Sequence, residues 1–275
     1  MVFIHFMRLL SFKRYLSRAR VFKVRSKAQA FIVSYPKCGR TWLRMLIGRY
    51  LCQQFIVDSE LALETLHVTR QAGLLPTTFT HDGSEMHKGV LWHPVVLEKM
   101  PYREKRVVLL VRDPRDVMVS CFFQATKRDM IYDGSLSEFI RSPQHGAWSY
   151  IEFLKAWDRN RAIPREFMVM RYEDMHANPE GHLNCVLSFL GCTQVNSAAI
   201  QEAVSYACFT NMQKLEASGQ HPSRLTPGTL NDMESFKVRR GKVGGYRDYL
   251  NTEDCAFLDQ IILDADCSLL KPFCR

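Results

Sequence analysis

Lys37, Gly39, Arg40 and Thr41 fall within five consecutive positions of the stretch SYPKCGRTWLRMLI (34–47), between an apolar run, AFIV, and a helical pattern. A glycine permits close backbone approach. Amides at the start of the following helix favour an anion. Lys37 adds a mobile point charge, Thr41 a hydroxyl, and Trp42 a flat apolar face suited to stacking on a base, although core packing is the plainer reading of a single tryptophan. The Walker spacing G-x-x-x-x-G-K-[ST] is absent, which argues against a standard nucleoside triphosphatase loop. A second group lies in RDPRDVMVS (112–120), where Arg112 suits planar oxyanions and Ser120 follows eight positions later. Asp113, Arg115 and Asp116 can pair with one another or cap a helix there. In FKVRRGKVGGYRDY (236–249), Lys237, Arg239, Arg240 and Lys242 are interleaved with Gly241, Gly244 and Gly245. Such a flexible basic segment can close over a polyanion, and as a bare charge run it reads as a solvated loop.

These residues need elements to hold them. AFIVSY (30–35) reads as a buried strand, TTFT (77–80) as a short one, and RVVLLV (106–111) as a strand covered on both faces. FMVMRY (167–172) is a fourth. Leu43, Leu46, Ile47, Tyr50 and Leu51 recur with a helical period, and a helix opens at Pro114 and runs to about Lys127. Further helical stripes include Tyr150, Phe153, Leu154 and Trp157; Leu183, Val186, Leu187 and Leu190; Phe209, Met212 and Leu215; and the segment 252–264. SGQHPSRLTPGTLN (218–231) reads as an exposed loop. Strands alternating with helices predict an α/β fold with a mainly parallel central sheet and helices on both faces. In such a sheet ligands bind beyond the carboxyl ends of the strands. Three candidate strands end there in informative residues: YPKCGRTW, RDPRDVMVS and RYEDM.

The chain has 275 residues, 47% hydrophobic, with 37 Lys and Arg against 28 Asp and Glu, a formal net charge of +9. This size suits one large domain, expected over 28–275, with an arm over 1–27. The excess charge suits a polyanionic ligand, a nucleic acid or an anionic membrane surface. Nine scattered cysteines without a C-x-x-C pair read as reduced thiols in a cytoplasmic compartment. The amino-terminal segment is interrupted by Arg and Lys from residue 8 onward, too early for a membrane span. It reads as a basic amphipathic arm packed on the domain, and such an arm can also touch a membrane surface.

In order along the chain, these segments resemble the sulfotransferases that use 3′-phosphoadenosine 5′-phosphosulfate (PAPS). YPKCGRTW is similar to the family's 5′-phosphosulfate loop, RDPRDVMVS to its 3′-phosphate motif, RYEDMHANP to the segment whose tyrosine meets the adenine, and RRGKVGGYRDYLN to its closing loop. The resemblance spans about residues 30–251. It implies a P-loop-like nucleotide-binding architecture and sulfuryl transfer to a hydroxyl or amine of a small-molecule, lipid or sugar acceptor, with no metal and no nucleic acid. Carried over residue by residue, the donor would be held by Lys37, Cys38, Gly39, Arg40, Thr41, Trp42, Arg112, Ser120, Tyr172, Phe209, Arg239, Arg240 and Gly241, and Lys37 would face the bridging oxygen. Cys38 stands where the family often has serine, and Arg40 where a threonine is common in the animal enzymes. The loop therefore looks more like the bacterial-type branch.

The resemblance also implies a histidine base at a strand end, in a K-T-H-like context. His81, in TFTHDG, follows the strand TTFT, with Phe79 in place of the lysine. His93, in LWHPVV, is 19 positions before Arg112 but precedes a proline and follows a weak strand pattern. His81 is the expected base, because a strand end fixes a side chain better than a loop does, and Asp82 beside it is expected to orient the ring. His81, His87 and His93 have a spacing that fits neither helical nor ribbon metal ligands. Two other readings of the same features are a P-loop-like nucleotide kinase, which would want a Walker lysine and a magnesium-binding carboxylate, and a non-enzymatic polyanion- or nucleic-acid-binding protein, which would want a recognisable binding module.

Overall fold

The architecture was obtained as a computed structural model, which describes residues 27–84, 99–221 and 224–274. The amino-terminal arm up to residue 26, His87 and His93 lie outside the described residues. Four strands form one parallel sheet in the order β2-β1-β3-β4, with β1 at Ala30–Ser34, β2 at Thr77–Thr80, β3 at Arg106–Val111 and β4 at Glu166–Arg171. The central strands β1 and β3 are apolar and buried almost throughout because helices cover both of their faces. Register pairs Ser34 with Leu110 and Val111 with Arg171, so the strands end nearly level.

The direction of the crossovers reverses between β1 and β3, which places a crevice above their carboxyl ends. Helix α1 (Arg40–Gln54) leaves the β1 loop and packs along α8 (Ser197–Tyr206). Between these come α2 (Thr65–Gln71), α3 (Pro114–Phe123), α4 (Leu136–Arg141), α5 (Ala147–Arg159), α6 (Tyr172–Ala177) and α7 (Pro179–Phe189); α9 (Phe209–Ser218) and α10 (Thr252–Asp264) follow. Tyr35 and Phe153 of α5 pack edge to face, as do Tyr102 and Trp157, and Trp157 stacks on Phe167 of β4.

Three sequence expectations shift. Tyr35 leaves β1 and turns inward against Tyr150 and Phe153. The helix from Pro114 ends as an α-helix at Phe123 and continues as a π-helical turn over Gln124–Arg128, in which the Asp129 amide donates to the Gln124 carbonyl at 2.9 Å. The segment 218–231 is not uniformly exposed, since His221 and Leu225 are buried and bridge to each other.

Candidate active site

The β1 loop turns at Lys37 (φ 70°) and Gly39 (φ 89°), both in the left-handed region. Gly39 has a reason to be glycine beyond its φ: a Cβ there would lie 2.6 Å from Cδ2 of Tyr172. No side chain caps the helix that starts at Arg40, so its first amides face the crevice available to an anion. Cys38 is buried beneath the loop, with its thiol 3.7 Å from the Tyr150 hydroxyl and pushed up to about 12 by burial, so it is a neutral packing group.

Lys37 donates to Oε1 of Gln124 at 3.1 Å, and Gln124 in turn donates to Oδ1 of Asp129 at 3.1 Å. The π-helical turn is what brings Gln124 there. Burial lowers the Lys37 pKa to about 8; Cys121 opposes that shift, and Arg128 and Lys237 add to it.

Arg112 leaves β3 and lies flat over the Tyr172 ring at 4.2 Å. It donates to the carbonyls of Lys37 and Lys242, each at 3.2 Å, and sits 3.6 Å from Asp116. Among the described residues its Nε is buried without a hydrogen-bond partner. Ser120 follows two turns along α3, on the same cavity wall. Trp42 is neither core nor a free stacking face: its indole donates to the Ala207 carbonyl at 3.0 Å and meets Tyr172 edge to face. Phe209, at the start of α9, is partly exposed in the cavity against Gly241 (φ 60°), where a Cβ would come within 2.6 Å of the ring.

The basic segment after Phe236 is strapped down at both ends, while residues 240–243 between them stay exposed to solvent. The buried carboxylate of Glu216 accepts the amides of Lys237 and Val238, and Asp116 accepts those of Gly244 and Tyr246. Arg239 turns to Glu234, the Tyr249 hydroxyl and the face of Phe123, while Arg240 and Lys242 pair with Asp248. Their backbone lines the cavity, with Gly241 held by Nε2 of His176 at 3.1 Å from its carbonyl. Asp113 caps α3 and pairs with Arg115, as the sequence suggested; Asp116 instead anchors this loop.

His81 stands at the end of β2 and lines the same cavity. Its Nδ1 lies 2.9 Å from the Ser34 carbonyl, which can only accept, so Nδ1 carries the proton and Nε2 is the free lone pair. Burial, then Arg40, holds its pKa well below the usual histidine range. The expected Asp82 partner is corrected: Asp82 turns away, buried between Lys99 Nζ and the Tyr102 hydroxyl, each at 2.6 Å. A main-chain carbonyl, invisible to residue-type reasoning, orients the ring instead.

The cavity joining these groups has a volume of about 670 Å³. It brings together Lys37, Gly39, Arg40, Thr41, Trp42, His81, Arg112, Ser120, Tyr172, Phe209, Arg239, Arg240 and Gly241; Cys38 lies behind its wall. Sequence reasoning missed Gln124 and Arg44, and it gave Asp116 a local pairing or capping role in place of anchoring the covering loop. Arg44 carried a signal, an arginine between Leu43 and Met45 one helical turn after Arg40.

The Sulfotransferase domain family matches residues 27–266. Cytosolic sulfotransferase 12 of Arabidopsis thaliana is 23% identical over 84% of this chain and 75% of its own length. Flavonol 3-sulfotransferase of Flaveria bidentis is 22% identical over 84% and 80%. Among solved structures, mouse sulfotransferase SULT7A1 complexed with PAP superposes with a TM-score of 0.63 at 20% identity, over 90% of this chain and 89% of that one. Retinol dehydratase with androsterone and the inactive cofactor PAP gives 0.58 at 20% identity, over 87% and 81%. At these identities the structural likeness establishes the fold. It is the family match that carries the reaction class.

Proposed function

The chain belongs to the sulfotransferase domain family, and from that membership we propose that it moves the sulfuryl group of PAPS to the hydroxyl or amine of an acceptor, with Lys37 and His81 at the reacting atoms. PAPS supplies an activated sulfuryl group on a phosphate leaving group. The residues present suit it: an uncapped helix start beside Gly39, and a buried Arg112 Nε that lacks an acceptor among the described residues. His81 takes the acceptor's proton on Nε2 as the acceptor oxygen bonds to sulfur and the sulfur–phosphate oxygen bond breaks. Lys37 and the amides of the loop stabilise the charge left on the phosphate, as preorganised donors. Arg112 and Ser120 hold the 3′-phosphate, the loop carrying Gly241 covers it, and Trp42, Tyr172 and Phe209 frame the base. Arg239 and Arg240 contribute through the shape of that loop, since their guanidinium groups are engaged within the protein.

The observation that carries the reading is the neutral His81 tautomer, fixed by Ser34 and open at Nε2 beside Lys37. Cytoplasmic residence fits relatives named as cytosolic enzymes, and among the described residues no helix is long and apolar enough to cross a membrane. The test pairs His81→Ala with His93→Ala. His81→Ala is expected to lose transfer on the order of 10²-fold or more while adenosine 3′,5′-bisphosphate (PAP) still raises Tm; His93→Ala keeps transfer. Near-normal transfer by His81→Ala overturns the assignment. Thermal stabilisation by ATP or DNA but not by PAP would favour the kinase or nucleic-acid reading instead.

A further inference from the structure

The donor reading engages Lys37, Arg40 and Arg112. It leaves Arg44, Arg224 and Lys237, which line the same cavity on the side of His81. Arg44 is only 7% exposed. Its guanidinium lies 4.3 Å over the ring of Phe79, two residues before His81, and among the described residues it has neither a hydrogen-bond partner nor a carboxylate at ion-pair distance. Burial, then Arg40 and Arg224, disfavour its charged form, and Glu64 offsets them only in part, yet an arginine stays protonated in a protein. A buried cation with no close counter-charge is costly unless something in the cavity supplies one.

Among the described residues no carboxylate lies at ion-pair distance of Arg44, and Glu64 favours its charge only from farther off. Glu216 is engaged with the amides of Lys237 and Val238 and, at 3.6 Å, with Arg128. Glu64 meets Arg224 at 3.4 Å. Asp129, on the cavity wall, is held by Gln124. Among the described residues Lys237 donates to a neutral group, the Arg224 carbonyl, at 2.6 Å.

We infer that the acceptor is itself an anion, carrying a carboxylate, sulfate or phosphate beside the hydroxyl that receives the sulfuryl group, and that Arg44, Arg224 and Lys237 seat this charge next to His81. The inference rests on the sulfuryl-transfer reading above and narrows its acceptor. A neutral flat acceptor would leave Arg44 uncompensated. An anion satisfies it and also fixes the hydroxyl near Nε2 of His81.

The test uses the full chain loaded with PAP and measures binding by calorimetry for two matched sets. One is phenyl β-glucoside with its glucuronide, 6-sulfate and 6-phosphate; the other is 3-(4-hydroxyphenyl)propanoate with its methyl ester. At least one charged member of a set is expected to bind about ten- to a hundred-fold tighter than its neutral counterpart, the value of one charge-assisted hydrogen bond. The charged arms tell carboxylate from sulfate and phosphate. Arg224→Gln and Arg44→Gln are each expected to shrink that preference several-fold with PAP affinity unchanged; Arg224 is exposed, so its variant answers even if Arg44→Gln folds poorly. Equal binding of charged and neutral members, no binding of any probe, or a preference that survives Arg224→Gln and a folded Arg44→Gln overturns the inference while PAP binding stands. Loss of PAP binding in the unmodified chain instead overturns the sulfuryl-transfer reading, and this inference with it.

Discussion

At one end of the cavity Arg112 is held by the Tyr172 ring, two carbonyls and Asp116, and Arg239 and Arg240 are tied to Glu234, Tyr249 and Asp248. At the other end, among the described residues, Arg44 lies over a phenyl ring with no carboxylate at ion-pair distance, and Lys37 and Lys237 donate to neutral acceptors. The first end is preorganised, with cations fixed in place before a ligand arrives. The second is short of negative charge, and a ligand must complete it. Apart from the loop that carries Lys37, the motifs lie at the preorganised end, because fixed backbone geometry demands particular residues at particular spacings. The other end is assembled from α1, β2, the segment after α9 and the π-helical turn, which no short motif spans.

The largest expected effect breaks the chemistry between the two ends. Lys37→Ala is expected to lower kcat on the order of 10²–10³-fold, the loss of one preorganised charge donor, while PAP still stabilises the protein in a thermal melt. Unchanged kcat would remove Lys37 from the reaction. Next comes Arg112→Ala, which acts on the preorganised end alone. PAP affinity is expected to fall by about 1.5–3 kcal/mol, read by calorimetry, with kcat at saturating donor much less affected.

The pH profile of kcat/KM sharpens the comparison, because it reports the free protein, where both titrating groups face the underfilled end. On the proposed mechanism His81 is active when neutral, and its pKa is held below the usual 6.5, so the acid limb should lie below the ordinary histidine range. Lys37 is active when protonated, and its pKa is about 8, so activity should fall about tenfold per unit as pH rises past that value. In kcat at saturating donor the alkaline limb should move upward, because the donor's charge holds the proton on Lys37. Stability carries the same sign for His81: the unfolded chain takes up the proton first, so the histidine's full contribution stands above about 6.5 and declines with acidification towards the folded pKa.

The smallest expected effect concerns the covering loop. Gly241→Ala forces a left-handed φ of 60° on alanine and a Cβ 2.6 Å from the Phe209 ring. A cost of about 1–2 kcal/mol should appear as a several-fold loss of PAP affinity, with little change in kcat. A change in acceptor preference instead would mean that this loop belongs to the other end.

The sequence by itself determined the strands, since continuous apolar runs such as RVVLLV can only be satisfied between two layers of helices. It also determined the turn after β1, where Gly39 lies in the left-handed region and a helix follows. It placed His81 at a strand end, although it assigned the ring the wrong partner. Tertiary structure alone decided that Asp82 would be drawn to Lys99 and Tyr102, that Gln124 would meet Lys37 through a π-helical turn, and that Glu216 and Asp116 would strap the basic segment over the cavity. Each of these is a contact between side chains or amides far apart in the chain, and residue type sets what such groups can bond to but not which of them the packing brings within reach. The same reason hid Arg44: an arginine on a helix face reads as solvated until Phe79 and the cavity wall close around it.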